Sequence, residues 1–301
     1  MTEKTALVLY HASCPDGLCS AWAAWKKLGD SADYKAVNYH HSVFNDQWFE
    51  GRDVYLVDFS YPLATLERLS KLTKSITVLD HHQSAVEALA GSPFAKHLRQ
   101  DWSGAHITWD FFHPNQNLEG PLPPFNAYLD GPEGSRLPAI VRYVEDNDLW
   151  HHKLPKWEAV KVVVEMMDIN AKDAIQQWDT FAQRMESSFW EITEQGNAII
   201  EYRNALLKRV VYDPAFTILD GHKVPCVNAA LWQSEIGDLL DKKHPFAVVW
   251  RMTKEGTFAY SLRSDRETGI DVAAIAQKFG GGGHTHSAGF SSNSPPMIVP
   301  K

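Results

Sequence analysis

Cysteine is scarce in this 301-residue chain. Cys14, Cys19 and Cys226 are odd in number and show no CxxC spacing, which argues against a disulfide framework and a structural zinc site and makes a reducing cytoplasm the expected home. Long apolar runs are missing too, none approaching the roughly 20 residues that span a bilayer. Met1-Thr2-Glu3-Lys4 ahead of a strand is not a signal peptide, so an intracellular protein with no membrane partner is expected. Positive charge is in short supply: 29 Lys+Arg stand against 37 Asp+Glu, a net charge of −8. That excludes a broad phosphate-tracking surface for long duplex DNA and leaves room for a small anionic ligand held by a few local groups. Internal repeats are absent. The 44% hydrophobic and 22% charged content is ordinary for a folded protein, and the length suits two domains.

The chain is organised around Ile76-Thr77-Val78-Leu79-Asp80-His81-His82-Gln83. An apolar, β-branched run predicts a buried strand of a parallel sheet, and it stops at one carboxylate and two imidazoles. Thr5 to Tyr10 runs in the same way into His11 and then Asp16-Gly17, and Val54 to Val57 into Asp58. In open α/β sheets, ligands collect beyond the carboxyl ends of the strands. Any one of these residues alone would be read as a capping aspartate or a satisfied core histidine. Three strands delivering Asp or His at the same end point to a site.

In chain order, Asp16-Gly17 opens a helix through Trp25, Lys35 to Tyr39 reads as a strand, and Leu63 to Leu72 as a helix with Leu63, Leu66 and Leu69 at helical spacing. The β-α-β-α-β alternation predicts a mostly parallel sheet. Ser103 and Gly104 begin a helix through Phe112, and His113 to Pro138, rich in Pro, Gly and Asn, reads as loop. Ile140 to Trp150 ends in Asp146-Asn147-Asp148, which is either a source of a metal ligand or an exposed acidic helix end. Ile175, Trp178, Phe181, Met185, Phe189, Ile192, Ile199, Leu206 and Val210 keep three-and-four spacing, predicting one or two long amphipathic helices whose aromatics are core. Beyond Pro214, short strands (216–219, 224–227, 246–252, 258–262) and helices (236–240, 272–279) predict a smaller α/β domain, with a partly ordered tail from Ser291 to Lys301. The expected division is 1–165, a helical connector at 166–213, and 214–301.

Carboxylates with a minority of imidazoles suit Mg²⁺ or Mn²⁺, with Mn²⁺ favoured where histidine contributes. Two such ions bridged by one carboxylate, for which Asp58 is the natural choice, activate water for attack at phosphorus. The Gly280 to Gly283 run can bring backbone N–H groups to a phosphate or act as a linker, and Arg263 can fork onto a phosphate or lie on the surface.

With these residues in hand, the chain resembles the DHH phosphoesterase superfamily carrying the DHH-associated C-terminal domain, the group of RecJ-type exonucleases and nanoRNases. Asp80-His81-His82 is the signature, and Gly281-Gly282-Gly283-His284 with Ser287-Ala288-Gly289 is similar to the C-terminal substrate motif. The resemblance covers nearly the whole chain. It implies an α/β fold in which a parallel-sheet catalytic domain, a helical connector and a smaller mixed domain follow in order. It also implies one ion held by Asp16, Asp58, His81 and Asp146, with Asp146 preferred to Asp148, and a second held by His11, Asp58 and a further ligand. His82 would contact the scissile phosphate or the attacking water. Asp80 would orient a histidine, with direct ligation as the alternative. Arg263, Gly281, Gly282, Gly283 and His284 would hold substrate. One departure stands out: where many members have Asp-x-Asp-Gly, this chain has Cys14-Pro15-Asp16-Gly17, a thiol in place of the first carboxylate.

The function expected is two-metal hydrolysis of short oligonucleotides or dinucleotides to mononucleotides. The rivals are a polyphosphate or pyrophosphate hydrolase and a nucleotide-binding regulator with a degenerate first metal site. Substrate polarity, RNA or DNA preference and oligomeric state are not fixed by the sequence.

Overall fold

The computed structural model describes residues 4–38, 45–114, 137–267 and 269–300. Tyr39, the end of an expected strand, and most of the expected loop at 113–138 lie outside these ranges. Two compact units divide the chain, Met1–Ile200 and Glu201–Lys301, so residues 166–200 of the expected connector fall in the first.

Unit one opens with β1 (Ala6–His11), α1 (Pro15–Leu28), β2 (Ala32–Val37), β3 (Asp53–Val57), α2 (Leu63–Leu69), β4 (Ser75–Leu79) and α3 (Gln83–Leu89). The strands pair in the order β2-β1-β3-β4, all parallel, as the alternation predicted. In-register pairing of β1 with β3 and of β3 with β4 brings the residues after Tyr10, Val57 and Leu79 to one edge. Continuous apolar runs form the strands because both faces are covered. Leu7, Leu9, Val54, Leu56 and Val78 pack with Leu66, Leu69 and Leu89 on one side, while Val8, Val57 and Leu79 pack with Ala24 and Ile107 on the other.

Four helices follow that carry or support the site: α4 (Gly104–Phe112), α5 (Ala139–Asp148), α6 (Trp157–Glu165) and α7 (Ala174–Ser187). Small residues Ala21, Ala23 and Ala24 let α1 lie close to its neighbours, and Trp22 stacks on Trp109 with centroids 5.5 Å apart. Trp178, Phe181, Met185, Phe189 and Ile192 are buried in the same core, as their spacing predicted. The Trp22 indole N–H donates to Asp179 Oδ1 at 2.9 Å and Lys26 Nζ donates to the same oxygen at 3.0 Å, fixing α7 to α1.

After α8 (Phe189–Val210), unit two contains β5 (Ala215–Leu219), β6 (His222–Asn228), α9 (Gln233–Leu240), β7 (Ala247–Met252), β8 (Phe258–Arg263), α10 (Val272–Lys278), β9 (Gly282–His284), β10 (Ser287–Ser292) and β11 (Ile298–Val299). The sheet order is β11-β5-β6-β7-β8-β10-β9. It is mixed because α9 serves as a crossover between parallel β6 and β7 while the other pairs are antiparallel. The tail is not merely trailing, since Ile298 and Val299 pair with Thr217 and Phe216. Within the glycine run, Gly282 and Gly283 are strand residues paired with Gly289 and Ala288, which sets aside the linker reading for these two. A Cβ on Gly283, at φ +141°, would come within 2.5 Å of the Ala288 Cα, so a side chain there would push the two strands apart.

Candidate metal centre

Three strands deliver the site. At the end of β3 the Asp58 N–H still donates to Leu79 O at 2.9 Å, continuing the ladder, and the residue then adopts φ +59°. Aspartate tolerates this left-handed conformation better than most residues, and the carboxylate is buried among imidazoles. Asp58 Oδ2 lies 3.4 Å from His11 Nδ1, and Oδ1 lies 3.3 Å from His81 Nε2. His81 Nε2 is also 3.7 Å from Asp16 Oδ2 and 3.5 Å from Asp148 Oδ2. Three sets of donor atoms each fall within 4.8 Å of one another: His11, Cys14 and Asp58; Asp58, His81 and His82; and Asp16, His81 and Asp148. Asp58 belongs to two of the three.

The groups differ in how their hydrogen-bonding capacity is met. Asp16, placed by Pro15 in the first turn of α1, accepts the Gly104 N–H at 2.7 Å and the Ala105 N–H at 2.9 Å, buried amides of the α4 N-terminus that have no partner within the helix. Asp80 Oδ1 accepts three N–H groups, from His81 N (2.8 Å), His82 N (3.3 Å) and His82 Nδ1 (2.8 Å), locking the DHH turn and orienting the His82 ring. Asp80 is in none of the three donor sets. By contrast, both carboxylate oxygens of Asp58 and Nε2 of His81 are buried with no hydrogen-bond partner. Buried polar atoms are almost always satisfied, and a divalent cation suits oxygen and imidazole donors in this arrangement.

Electrostatics follow the same pattern. Burial opposes ionisation of Asp58, but His11 and His81 beside it outweigh that and hold its carboxyl below the usual range. Burial, reinforced by Asp58 and Asp148, raises Asp16 well above the carboxylate norm, and burial likewise raises Asp148. Burial opposes protonation of His81, yet Asp58 and Asp148 raise it overall. The hydrogen bond to Asp80 raises His82. Cys14 is pushed up by burial and then by Asp58 and Asp16, so the thiol is held protonated beside the carboxylates.

The expected ligand Asp146 is in none of the three donor sets; its Oδ1 accepts the Lys153 N–H (2.9 Å) and its Oδ2 the Leu154 N–H (3.3 Å). Asp148, two residues on, reaches His81 and Asp16 instead. Helical phase does not separate the two, since Asp146, three residues beyond buried Tyr143, is itself buried. Glu145 was not singled out by sequence. Its Oε2 accepts the Ser103 N–H at 3.0 Å and lies 2.7 Å from His106 Nδ1, tying α5, which carries Asp148, to the turn that holds Asp16. A cavity of about 90 Å³ opens beside Asp16 and Asp148, walled by Ile140, Tyr143, Val144, Val160 and Val164.

The residues expected to hold substrate lie in unit two. Arg263 ends β8 with its guanidinium donating to Leu262 O (2.9 Å) and Ser234 Oγ (2.8 Å), and burial lowers its pKa. His284 ends β9, exposed. Gly281 immediately precedes that strand, which contains Gly282 and Gly283.

A parallel sheet whose strands end in such a cluster, with Asp80-His81-His82 at the turn after the last of them, defines an α/β protein with a candidate metal centre at its strand ends. No family model matches the chain. Over 96% of its length it is 27% identical to the uncharacterized protein R106 of Acanthamoeba polyphaga mimivirus, of which it spans 68%. Over 85 residues it is 34% identical to the oligoribonuclease NrnB of Bacillus subtilis (strain 168), a match covering 28% of this chain and 21% of the other. Among solved structures, the pGpG-specific phosphodiesterase PggH from Vibrio cholerae superposes with a TM-score of 0.54 at 14% identity, covering 96% of this chain and 93% of PggH. RecJ in complex with Mn²⁺ from Thermus thermophilus does so with a TM-score of 0.50 at 13% identity, covering 96% of this chain and 49% of RecJ. The chain has the RecJ-like DHH fold, which bears out the resemblance read from Asp80-His81-His82. Among the described residues, no helix is long and apolar enough to cross a membrane.

Proposed function

We propose that the chain is a metal-dependent phosphoesterase that hydrolyses short oligonucleotides or dinucleotides to mononucleotides. The observation that carries this reading is Asp58: a buried carboxylate with both oxygens unsatisfied, shared between a His11 side and a His81 side. Asp16, Asp58, His81 and Asp148 would hold one Mn²⁺ or Mg²⁺, and His11 and Asp58, with Cys14 adjacent, a second. Ions bound there would supply Lewis-acid polarisation of the phosphoryl oxygens and a water of lowered pKa. His82, its Nδ1 engaged by Asp80 and its pKa raised by that carboxylate, presents Nε2 to donate a proton or a positive charge at the phosphate. Arg263 and His284, with the amides of Gly281, Gly282 and Gly283, would hold the substrate's phosphate or sugar. The likeness to NrnB, an oligoribonuclease, and to PggH, a pGpG phosphodiesterase, supports a small nucleotide substrate, as does the net charge of −8.

The test is Mn²⁺-dependent hydrolysis of a dinucleotide, a five-nucleotide RNA, the same DNA, a 3′,5′-bisphosphate nucleotide and polyphosphate. Mononucleotide release from the short oligomers is the expected result. Phosphate release from polyphosphate alone would replace the proposal with an anhydride hydrolase. Silence across the panel with Mn²⁺ bound would replace it with a nucleotide-binding regulator.

A further inference from the structure

Helix α5 delivers Asp148 to the cluster, and the chain leaves it through Leu149 and Trp150. Two residues of chain place the Trp150 Cα within about 7 Å of that of Asp148. Its indole is 72% exposed. Trp150 has φ +55° and His152 φ +51°, a left-handed backbone that bulky residues seldom adopt and that persists where surrounding structure over-determines it. Asp146 supplies that determination. Its main-chain oxygen accepts the N–H groups of His151 (2.9 Å) and His152 (3.2 Å), and its carboxylate accepts those of Lys153 and Leu154. Four consecutive amides are thus captured by one buried residue. The His152 ring lies 5.2 Å from the Trp150 indole, tilted 53° to it, and is stacked on Trp157 at 3.8 Å with the planes 7° apart. Trp157 in turn packs against the core of unit one. Among the described residues, the other strongly exposed large aromatics, Trp190, Tyr202 and Tyr212, have no left-handed backbone.

We infer that Trp150, held out from the protein by Asp146 with His152 beside it, is a stacking surface for a nucleobase of a ligand whose phosphate sits at the Asp58 cluster. The inference deepens the function proposed above and rests on it: a base offers a flat π-face to a rigid indole, and a bare polyphosphate offers none. Stacking of this kind tolerates any base, so the site would select nucleotides over other phosphates without selecting a sequence.

Calorimetric titration of the Mn²⁺-loaded full chain with adenosine 5′-monophosphate and with ribose 5-phosphate tests this. The nucleotide should bind about tenfold tighter. Trp150→Ala should bring the ratio close to one, and Trp150→Phe should keep most of it, with circular dichroism and Mn²⁺ affinity unchanged in both. Quenching of indole emission by the nucleotide, absent with ribose 5-phosphate, should diminish in Trp150→Phe, a readout independent of the alanine variant's folding. Equal binding of the two ligands by the wild-type chain, or a ratio that survives Trp150→Ala, would overturn the inference. A chain that cleaves no phosphodiester yet discriminates through Trp150 would sink the proposed function and leave the base surface standing. Cleavage of dinucleotides with an unchanged KM in Trp150→Ala would sink the base surface alone.

Discussion

Replacing Gly104 with alanine sets two effects of opposite sign against each other. Gly104 is the first residue of α4, where alanine in place of glycine is ordinarily worth about 0.4–1 kcal/mol through the unfolded chain. Against that, the added Cβ would lie 2.7 Å from the Asp58 Cβ, 2.9 Å from its Cα and 2.9 Å from its Oδ1. Restoring an ordinary contact of about 3.5 Å needs a displacement of roughly 0.8 Å, in a place where backbone and a buried carboxylate must move together. Overpacking of this kind costs about 1–3 kcal/mol, so the steric effect outweighs the gain and Gly104→Ala should destabilise the metal-free protein by up to roughly 2.5 kcal/mol. The consequence for function is larger. The displaced residue is Asp58, and the Gly104 N–H is also the donor that holds Asp16. Disturbing groups that orient metal ligands typically costs 10–100-fold in affinity, so Mn²⁺ binding by calorimetry should weaken by about that factor, alongside a lower denaturation midpoint. A Gly104→Ala protein that is more stable and binds Mn²⁺ as tightly as the wild type would refute the reasoning.

Asp148→Asn should weaken Mn²⁺ binding with little effect on metal-free stability, whereas Asp146→Ala should cost about 1–3 kcal/mol for each loop amide it leaves without its carboxylate acceptor, as read by urea denaturation; the reverse pattern would restore Asp146 as the ligand. Cys14→Asp adds a carboxylate beside His11 and Asp58 and should tighten binding of Mg²⁺ relative to Mn²⁺, so unchanged affinity for both ions would place Cys14 outside the site. Burial opposes ionisation of Asp179, but Trp22 and Lys26 outweigh it and depress its pKa. A depressed carboxylate contributes stability that is present above its unfolded value of about 3.9 and is lost as pH falls through the folded value. Asp179→Asn should therefore be less stable than the wild type at pH 7, with the gap closing as the solution is acidified below that range, and a pH-independent gap would count against the ion-pair account.

The parts of the fold legible in sequence are those whose cause is local. Strands β1, β3 and β4 declare themselves because burial on both faces demands continuous apolar runs, and the residue ending each run lands at one edge because parallel strands share a direction. Helix α7 was legible from the spacing of Ile175, Trp178, Phe181 and Met185. What escaped is set by distant partners. β11 exists because Thr217 and Phe216 offer it a ladder, and nothing in the Ser/Asn/Pro tail announces that. β9 hides in a glycine run because Gly283, and Gly281 just before the strand, serve close approach to β10 rather than flexibility. At the site, Asp16, Asp58, His81 and His11 follow from strand ends. The choice between Asp146 and Asp148 depended on the loop amides that one of them captures, a tertiary fact with no signal in the sequence.

The central claim is that Asp58 is shared between the two sides of a metal centre that cleaves phosphodiesters. The most direct measurement is Mn²⁺-dependent release of mononucleotide from a dinucleotide by the wild type and by Asp58→Asn, a substitution that keeps the side-chain shape and tolerates the left-handed backbone at this position. The account predicts release by the wild type only when Mn²⁺ is present, and none by a folded Asp58→Asn protein. Turnover by Asp58→Asn at the wild-type rate would contradict it.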